Sequence, residues 1–181
     1  MKSNPVLEQQ LQRIADGPSG PKIGAFFDYD GTLIDGYSAA AYFFDRIKRG
    51  DMSAKEILDT LKLSRKADLA DEEFFEVIAK GILDWAGETE ADMRALWRRL
   101  WLEKTAATLF PESWKLIDAH QKKGHTVAIA SSATLYQIEP LAQEYGIEHI
   151  VCTRATIRNG KLTRALAGLP AWAQTRSITD G

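Results

Sequence analysis

The sequence predicts an α/β fold, an open and mostly parallel sheet with a long helical insertion behind its first strand. Three observations lead there. KIGAFF at residues 22–27 reads as a buried strand and runs into an aspartate-rich turn. HTVAIASSAT at residues 125–134 reads as a second buried strand and ends in small hydroxyl residues. The residues between them repeat apolar side chains at helical spacing. Strand, helices, strand, helix, strand is the order of a parallel open sheet, whose ligand site lies at the carboxyl ends of the strands.

Taken in order, residues 6–15 suit a short helix, and GPSGP at 17–21 separates it from the first strand. After that strand, SAAAYFFDRIKRG predicts a helix with Ala40, Phe43, Phe44 and Ile47 on one face and Gly50 as its C-cap. SAKE at 53–56 is a capping box, Ser53 with Glu56. DEEFFEVIAKGILDWAG carries Phe74, Ile78, Ile82 and Trp85 at helical spacing, and the next helix carries Met93, Leu96, Trp97, Leu100 and Trp101. These stripes are read as helix–helix packing rather than as a ligand groove. Pro111 opens a further helix that stops at Gly124. TLYQIEPLAQEYG is helical in pattern, with Pro140 expected to kink or break it. HIVCT is a third strand, and Asn159-Gly160 is a hairpin tip.

The chain of 181 residues is long enough for one domain with a sizeable core. Its net charge of -2 argues against a nucleic-acid or polybasic membrane surface. No apolar run approaches the ~20 residues of a membrane span, and the first residues lack signal-peptide character. One cysteine, Cys152, excludes an internal disulfide and is read as a small core residue, so a reducing cytoplasm is the expected location. His120, His125 and His149 show no metal-ligand spacing and are read as solvated or capping residues. No nucleotide P-loop pattern occurs.

The chemistry concentrates in FFDYDGTLID at residues 26–35. Asp28 and Asp30 are two apart, so both carboxylates can leave the strand end on one side. At about 4 Å and an effective dielectric near 20, such a pair repels by roughly 4 kcal/mol. A shared proton, a basic partner or a metal would relieve it, and magnesium fits two carboxylates with room for water and phosphate. Gly31 lets the chain turn sharply, and Thr32 adds a hydroxyl. Two plainer readings stand beside these: a solvated turn for DYDGT, and a helix N-cap for the hydroxyls of SSAT.

DYDGT behind a buried strand resembles the first motif of the haloacid dehalogenase-like superfamily, D-x-D-G-T. VAIAS resembles its second, four apolar residues followed by Ser or Thr. The helical insertion is similar to the small cap of the phosphoserine phosphatase-like branch, and the resemblance covers about residues 22–166. More loosely, the N-terminal segment is similar to chains in which this domain precedes an acyltransferase domain. The resemblance implies a Rossmann-like three-layer parallel sheet. It divides the chain into an N-terminal extension at 1–21, a core at 22–36 and 106–181, and a cap at 37–105.

It also implies a Mg2+-dependent hydrolase of small phosphomonoesters that works through an aspartyl-phosphate. Asp28 would be the nucleophile and Asp30 the general acid and base. The Asp28 side chain and the Asp30 backbone carbonyl would hold the metal. Ser131, with Ser132 beside it and the amides of Gly31 and Thr32, would bind the phosphoryl oxygens.

Two expected parts have no match. The family places a lysine after the second motif and an acidic cluster, such as G-D-x-x-x-D, on a further strand. After Lys161, itself read as a surface residue, the sequence offers Arg164, Arg176 and Asp180 but no lysine. In the phosphoserine phosphatase-like branch an acidic residue stands nine positions after the nucleophile, where this chain has Tyr37, with Asp35 nearby. This argues against phosphoserine as substrate. In the family the first strand is central, so without the further strand the edge of KIGAFF lies open. A truncated or frame-altered member is therefore expected, or one whose edge is covered by a partner chain or a homodimer. The alternative function is a catalytically impaired fragment or regulatory domain that binds magnesium poorly.

Overall fold

The computed structural model of the protein describes residues 4–64 and 85–166. Three strands, β1 (Gly24–Phe27), β2 (Thr126–Thr134) and β3 (His149–Thr153), form a parallel sheet in the order β1-β2-β3. Ala25 and Phe27 of β1, Val127 and Ile129 of β2, and Ile150 and Cys152 of β3 point to one face. There they pack on two helices, α5 (Pro111–Lys122) through Ile117 and α6 (Leu135–Tyr145) through Ile138, Leu141 and Ala142. Both crossovers step the same way across the sheet, and a common handedness puts both helices on that face. On the opposite face Phe26 is 70% and Val151 48% exposed. Among the described residues β1 pairs only with β2, so its outer edge is open.

Helix boundaries follow the local signals. Asn4 caps α1 (Pro5–Asp16), its side chain accepting from the Leu7 amide at 3.3 Å. Helix α2 (Ser38–Arg49) ends at Gly50, whose φ of 75° suits glycine. The Ser53–Glu56 box opens α3 (Ala54–Ser64) with bonds of 2.8 and 3.3 Å. Thr89 caps α4 (Glu90–Glu103), and Met93, Trp97, Leu100 and Trp101 are buried as their spacing predicts. Trp85, Trp97, Tyr42 and Tyr136 meet edge-on or tilted, so the described tryptophans of this region are packing residues. The stripe Phe74, Ile78 and Ile82, the Arg164 side chain, Arg176 and Asp180 lie outside the described residues.

Two expectations need correction. The buried face of α2 is Ser38, Ala41 and Asp45, whereas Ala40 and Phe44 are exposed and Phe43 and Ile47 only half-buried. Asp45 turns inward because Arg99 of α4 meets both its carboxylate oxygens at 3.0 Å and Arg49 adds a third contact. Charge pairing, not apolar spacing, sets the rotation of this helix. Pro140 does not break α6. It deprives the Tyr136 carbonyl of one donor, and the buried Ile138 and Leu141 beside it hold the helix continuous. Helix α4 is tied to α6 by the Arg94–Glu139 ion pair and by Trp101 Nε1 donating to Glu144 at 3.0 Å.

The hairpin forms as expected, β4 (Ala155–Arg158) and β5 (Lys161–Leu166), with Asn159 and Gly160 at φ 52° and 72°. Both values match a two-residue turn of mirror-image type. Lys161 is exposed. The histidines differ from expectation in one respect. His120 and His125 stand Nδ1 to Nδ1 at 2.8 Å, and His125 Nε2 meets the Pro18 carbonyl at 2.9 Å. A carbonyl only accepts, so His125 carries its proton on Nε2 and, when neutral, accepts from His120 at Nδ1. This pair and the Lys123–Ala15 bond sew the N-terminal segment to the α5–β2 turn. Burial, then the neighbouring His125, pushes the His120 pKa down.

The two faces of the sheet make a testable contrast. Ile129→Ala removes a fully buried side chain and should lower stability by about 2–5 kcal/mol in urea unfolding. Phe26→Ser, on the exposed face, should change it by less than about 0.5 kcal/mol.

Candidate active site

The turn after β1 is built around one carbonyl. Tyr29 O accepts from the amides of Leu33 and Ile34 at 3.0 and 3.2 Å, winding residues 29–34 into a single helical turn. Leu33 and Ile34 are fully buried and anchor it. The segment before α5 completes the seating: Phe110 N donates to Leu33 O at 3.1 Å, Asp35 N to Thr108 O at 2.8 Å, and Ser113 Oγ to Thr32 O at 2.9 Å. Gly31 adopts φ 73°, which a side chain would strain.

The pairing of β1 with β2 ends at Phe27↔Ile129. Asp28 and Ser131 therefore lie one and two residues past that pair, toward the carboxyl ends of neighbouring strands, with Ser131 and Ser132 still inside β2. Asp28 and Asp30 are near enough to act on each other, and the register puts the two serines toward the same edge. Asp28 is exposed, and its Oδ1 accepts from the Tyr29 amide at 2.7 Å. Ser131 is buried; its Oγ accepts from Ala133 N at 3.3 Å, which leaves the hydroxyl proton to donate elsewhere. The Ser132 carbonyl accepts from Thr153 Oγ1 at 2.7 Å, fixing this stretch to β3. Gly31 and Thr32 are exposed, but their amides already donate within the turn, to Gly36 O at 3.0 Å and Tyr29 O at 3.4 Å. What this conformation leaves available there is the Thr32 hydroxyl. Asp35 and Tyr37 are exposed.

Asp30 is the group with the perturbed environment. Burial raises its pKa most, the nearby Asp28 raises it further, and hydrogen bonds from Ser38 pull it back in part. The Ser38 amide donates to Asp30 Oδ1 at 2.7 Å. Ser38 is the first residue of α2, and the preceding Tyr37 side chain makes no capping bond. Asp30, eight residues upstream, acts as that helix's cap acceptor. Burial, and then the charge of Asp30, also pushes the Tyr29 hydroxyl pKa up.

Two residues of this rim, Ser38 and Gln137, were not singled out in the sequence. Gln137 Nε2 donates to Ser38 Oγ at 2.7 Å, while its Oε1 accepts from Thr134 N at 2.8 Å. The signals were present: T-x-x-Q at 134–137 is a capping-box pattern, and α2 begins without a capping side chain of its own.

The donor set suits a divalent cation of the magnesium type. The exposed Asp28 carboxylate and the Asp30 backbone carbonyl both offer hard oxygen. Among the described residues no third acidic or imidazole group joins the two aspartates. No helix among those residues is long and apolar enough to cross a membrane.

Residues 25–177 match the family of haloacid dehalogenase-like hydrolases, most of the chain. The chain belongs to that family. A probable phosphatase of Mycobacterium tuberculosis is 24% identical over 170 residues, 91% of this chain and 59% of that protein. The chain thus spans about three-fifths of the length of this curated relative. Among solved structures, a protein of unknown function from Bordetella pertussis Tohama I superposes with TM-score 0.68 at 18% identity, covering 87% of this chain and 72% of that one. A phosphoserine phosphohydrolase-like protein from Francisella tularensis gives 0.57 at 19%, covering 88% and 74%. These superpositions carry the haloacid dehalogenase-like fold, a parallel sheet flanked by helices.

A raised Asp30 pKa has a measurable sign. The folded chain holds this proton more tightly than the unfolded chain does. The charged form therefore weakens the fold above the folded-state pKa, and the penalty vanishes below the ordinary carboxylate value. In buffer containing a chelator, Asp30→Asn should raise the melting temperature at pH 7, and the gain should shrink as pH falls through that window.

Proposed function

We propose that this chain is a phosphomonoester hydrolase acting on small phosphorylated molecules, with Asp28 as nucleophile and Asp30 as general acid and base. The observation that carries the reading is the pair itself. An exposed, ionisable Asp28 and a half-buried Asp30 with a raised pKa stand at the carboxyl edge of a parallel sheet, beside Ser131. A carboxyl group whose burial raises its pKa, next to an exposed carboxyl, suits an acid beside a nucleophile. Membership of the hydrolase family and the likeness to a probable phosphatase support the same reaction class.

Atoms and charges balance at each step. An Asp28 carboxylate oxygen attacks phosphorus, and the bond to the ester oxygen breaks with its electron pair leaving on that oxygen. Asp30, protonated, gives it a proton, and the alcohol departs. Water then attacks the aspartyl-phosphate, Asp30 accepts its proton, and the bond to Asp28 breaks, releasing phosphate and restoring both groups. Ser131 donates its hydroxyl to the transferring group, with Ser132 beside it. Thr32 adds its hydroxyl, and Gly31 shapes the turn that presents both. The Asp28 side chain and the Asp30 carbonyl would hold Mg2+, which when bound offsets the negative charge of carboxylate and phosphate. In this reading residues 37–105 form the cap over the site and residues 22–36 with 106–181 the core.

One observation favours the competing reading of an impaired enzyme: among the described residues the pair has no third acidic partner. A single experiment separates them. The proposal expects magnesium-dependent release of phosphate from p-nitrophenyl phosphate, abolished by chelation. It expects Asp28→Asn to reduce the rate by more than about a thousandfold, and Asp30→Asn by about 10²–10⁴-fold. Absence of magnesium-stimulated turnover in well-folded protein would favour the impaired reading.

A further inference from the structure

A chain of buried polar groups runs from the second strand's end to the first. Thr134 begins it: its backbone N–H and its hydroxyl both donate to Gln137 Oε1, at 2.8 and 2.7 Å. Because a backbone amide can only donate, the orientation of the Gln137 amide is settled, with oxygen toward Thr134 and nitrogen away from it. Gln137 Nε2 then donates to Ser38 Oγ at 2.7 Å. That bond occupies a lone pair of the Ser38 hydroxyl and leaves its proton for another acceptor. Asp30 takes the Ser38 amide at 2.7 Å, and the Ser38 side chain lies near enough to the carboxylate to favour its charged form. Thr134, Gln137 and Ser38 are 3%, 8% and 2% exposed, so water does not compete for these groups.

We infer that Gln137 is a positioning residue for Asp30, acting through Ser38: its amide anchors the Ser38 side chain, and with it the backbone amide that donates to the carboxylate. This deepens the proposed function and rests on it where catalysis is concerned. The relay joins the turn after β1 and the first turn of α2 to the first turn of α6, 99 residues further along the chain. Docking of α2 on the core and the aim of Asp30 are then one event. With Gln137 replaced, Ser38 loses that anchor and the amide that meets Asp30 is held less closely. Glutamate at that position would accept from the Ser38 hydroxyl instead of donating to it, in nearly the same shape.

The experiment has two arms. In the first, kcat and KM are measured on p-nitrophenyl phosphate, whose leaving oxygen needs little protonation, and on glycerol 2-phosphate, whose alkoxide needs a well-aimed acid. Gln137→Glu and Gln137→Met should lower kcat on glycerol 2-phosphate by about 10–100-fold, with a clearly smaller loss on p-nitrophenyl phosphate, where Asp30 is needed only as the base for water, and little change in KM. Equal losses on the two substrates, or none on either, would overturn the inference.

The second arm needs no activity. Unfolding midpoints are compared for Asp30→Ala, Gln137→Met and the double variant, residues with no direct hydrogen bond between them. Coupling through Ser38 requires the double variant's shift to differ from the sum of the single shifts, and additive shifts would overturn the inference. If the native chain hydrolyses neither ester, the proposed function fails and this cycle alone decides the relay. If it hydrolyses both, the two arms must agree.

Discussion

The hydrogen bond from the Ser38 amide to Asp30 Oδ1, 2.7 Å long, meets two needs with one contact. A carboxylate at the rim of a core loses hydration, and unless donors replace the water it neutralises. A helix that begins without a capping side chain leaves amides without acceptors. Asp30 has the first problem and α2 the second, and each answers the other. Desolvation still exceeds this compensation, since the net direction of the Asp30 pKa is upward. For a surface turn that imbalance would be a defect. Under the proposed mechanism it is an asset, because an acid fully stabilised as its anion would give up nothing useful.

The turn is held in place without being buried. Asp28, Gly31 and Thr32 are exposed, while the residues holding them, Tyr29, Leu33 and Ile34, are almost wholly enclosed. Anchors alternate with presented groups, and bonds to residues 108–113 seat the turn from beneath. Chemistry at a loop placed by packed neighbours is the usual way a scaffold gains precision where it meets solvent.

Much of this was legible in the sequence because its signals are local. The Ser53–Glu56 box, Pro111, Gly50 and the Asn159-Gly160 tip each depend on a few neighbouring residues, and the structure has them all; the strands read as fully buried did not turn out so, since Phe26 of β1 is exposed. The DYDGT turn was legible for the same reason. The rotation of α2 was not, because it is decided by Arg99, far along the chain, and an apolar count cannot see a carboxylate that turns inward to meet it. Gln137 was missed for a related reason. Its capping-box pattern announces only a helix start, and the second half of its amide acts on Ser38, ninety-nine residues away. Amide flips in particular are fixed by three-dimensional partners that no window of sequence contains.

The open face of the sheet bears on the site less than its exposure suggests. The carboxyl edge is set by the register of β1 against β2 and by crossovers that bring α5 and α6 to the opposite face. Nothing in the Asp30–Ser38–Gln137 relay touches Phe26 or Val151, the exposed apolar residues of the other side. Whatever covers that face changes the free energy of the whole fold, by burying apolar area and by satisfying the edge of β1. The aim of Asp30 depends on contacts made on the helix-covered side. Most of the stability and the alignment of the site thus rest on the same helix-covered face, where the core of Ile129, Ile138 and Leu141 lies beside the helix that carries Gln137.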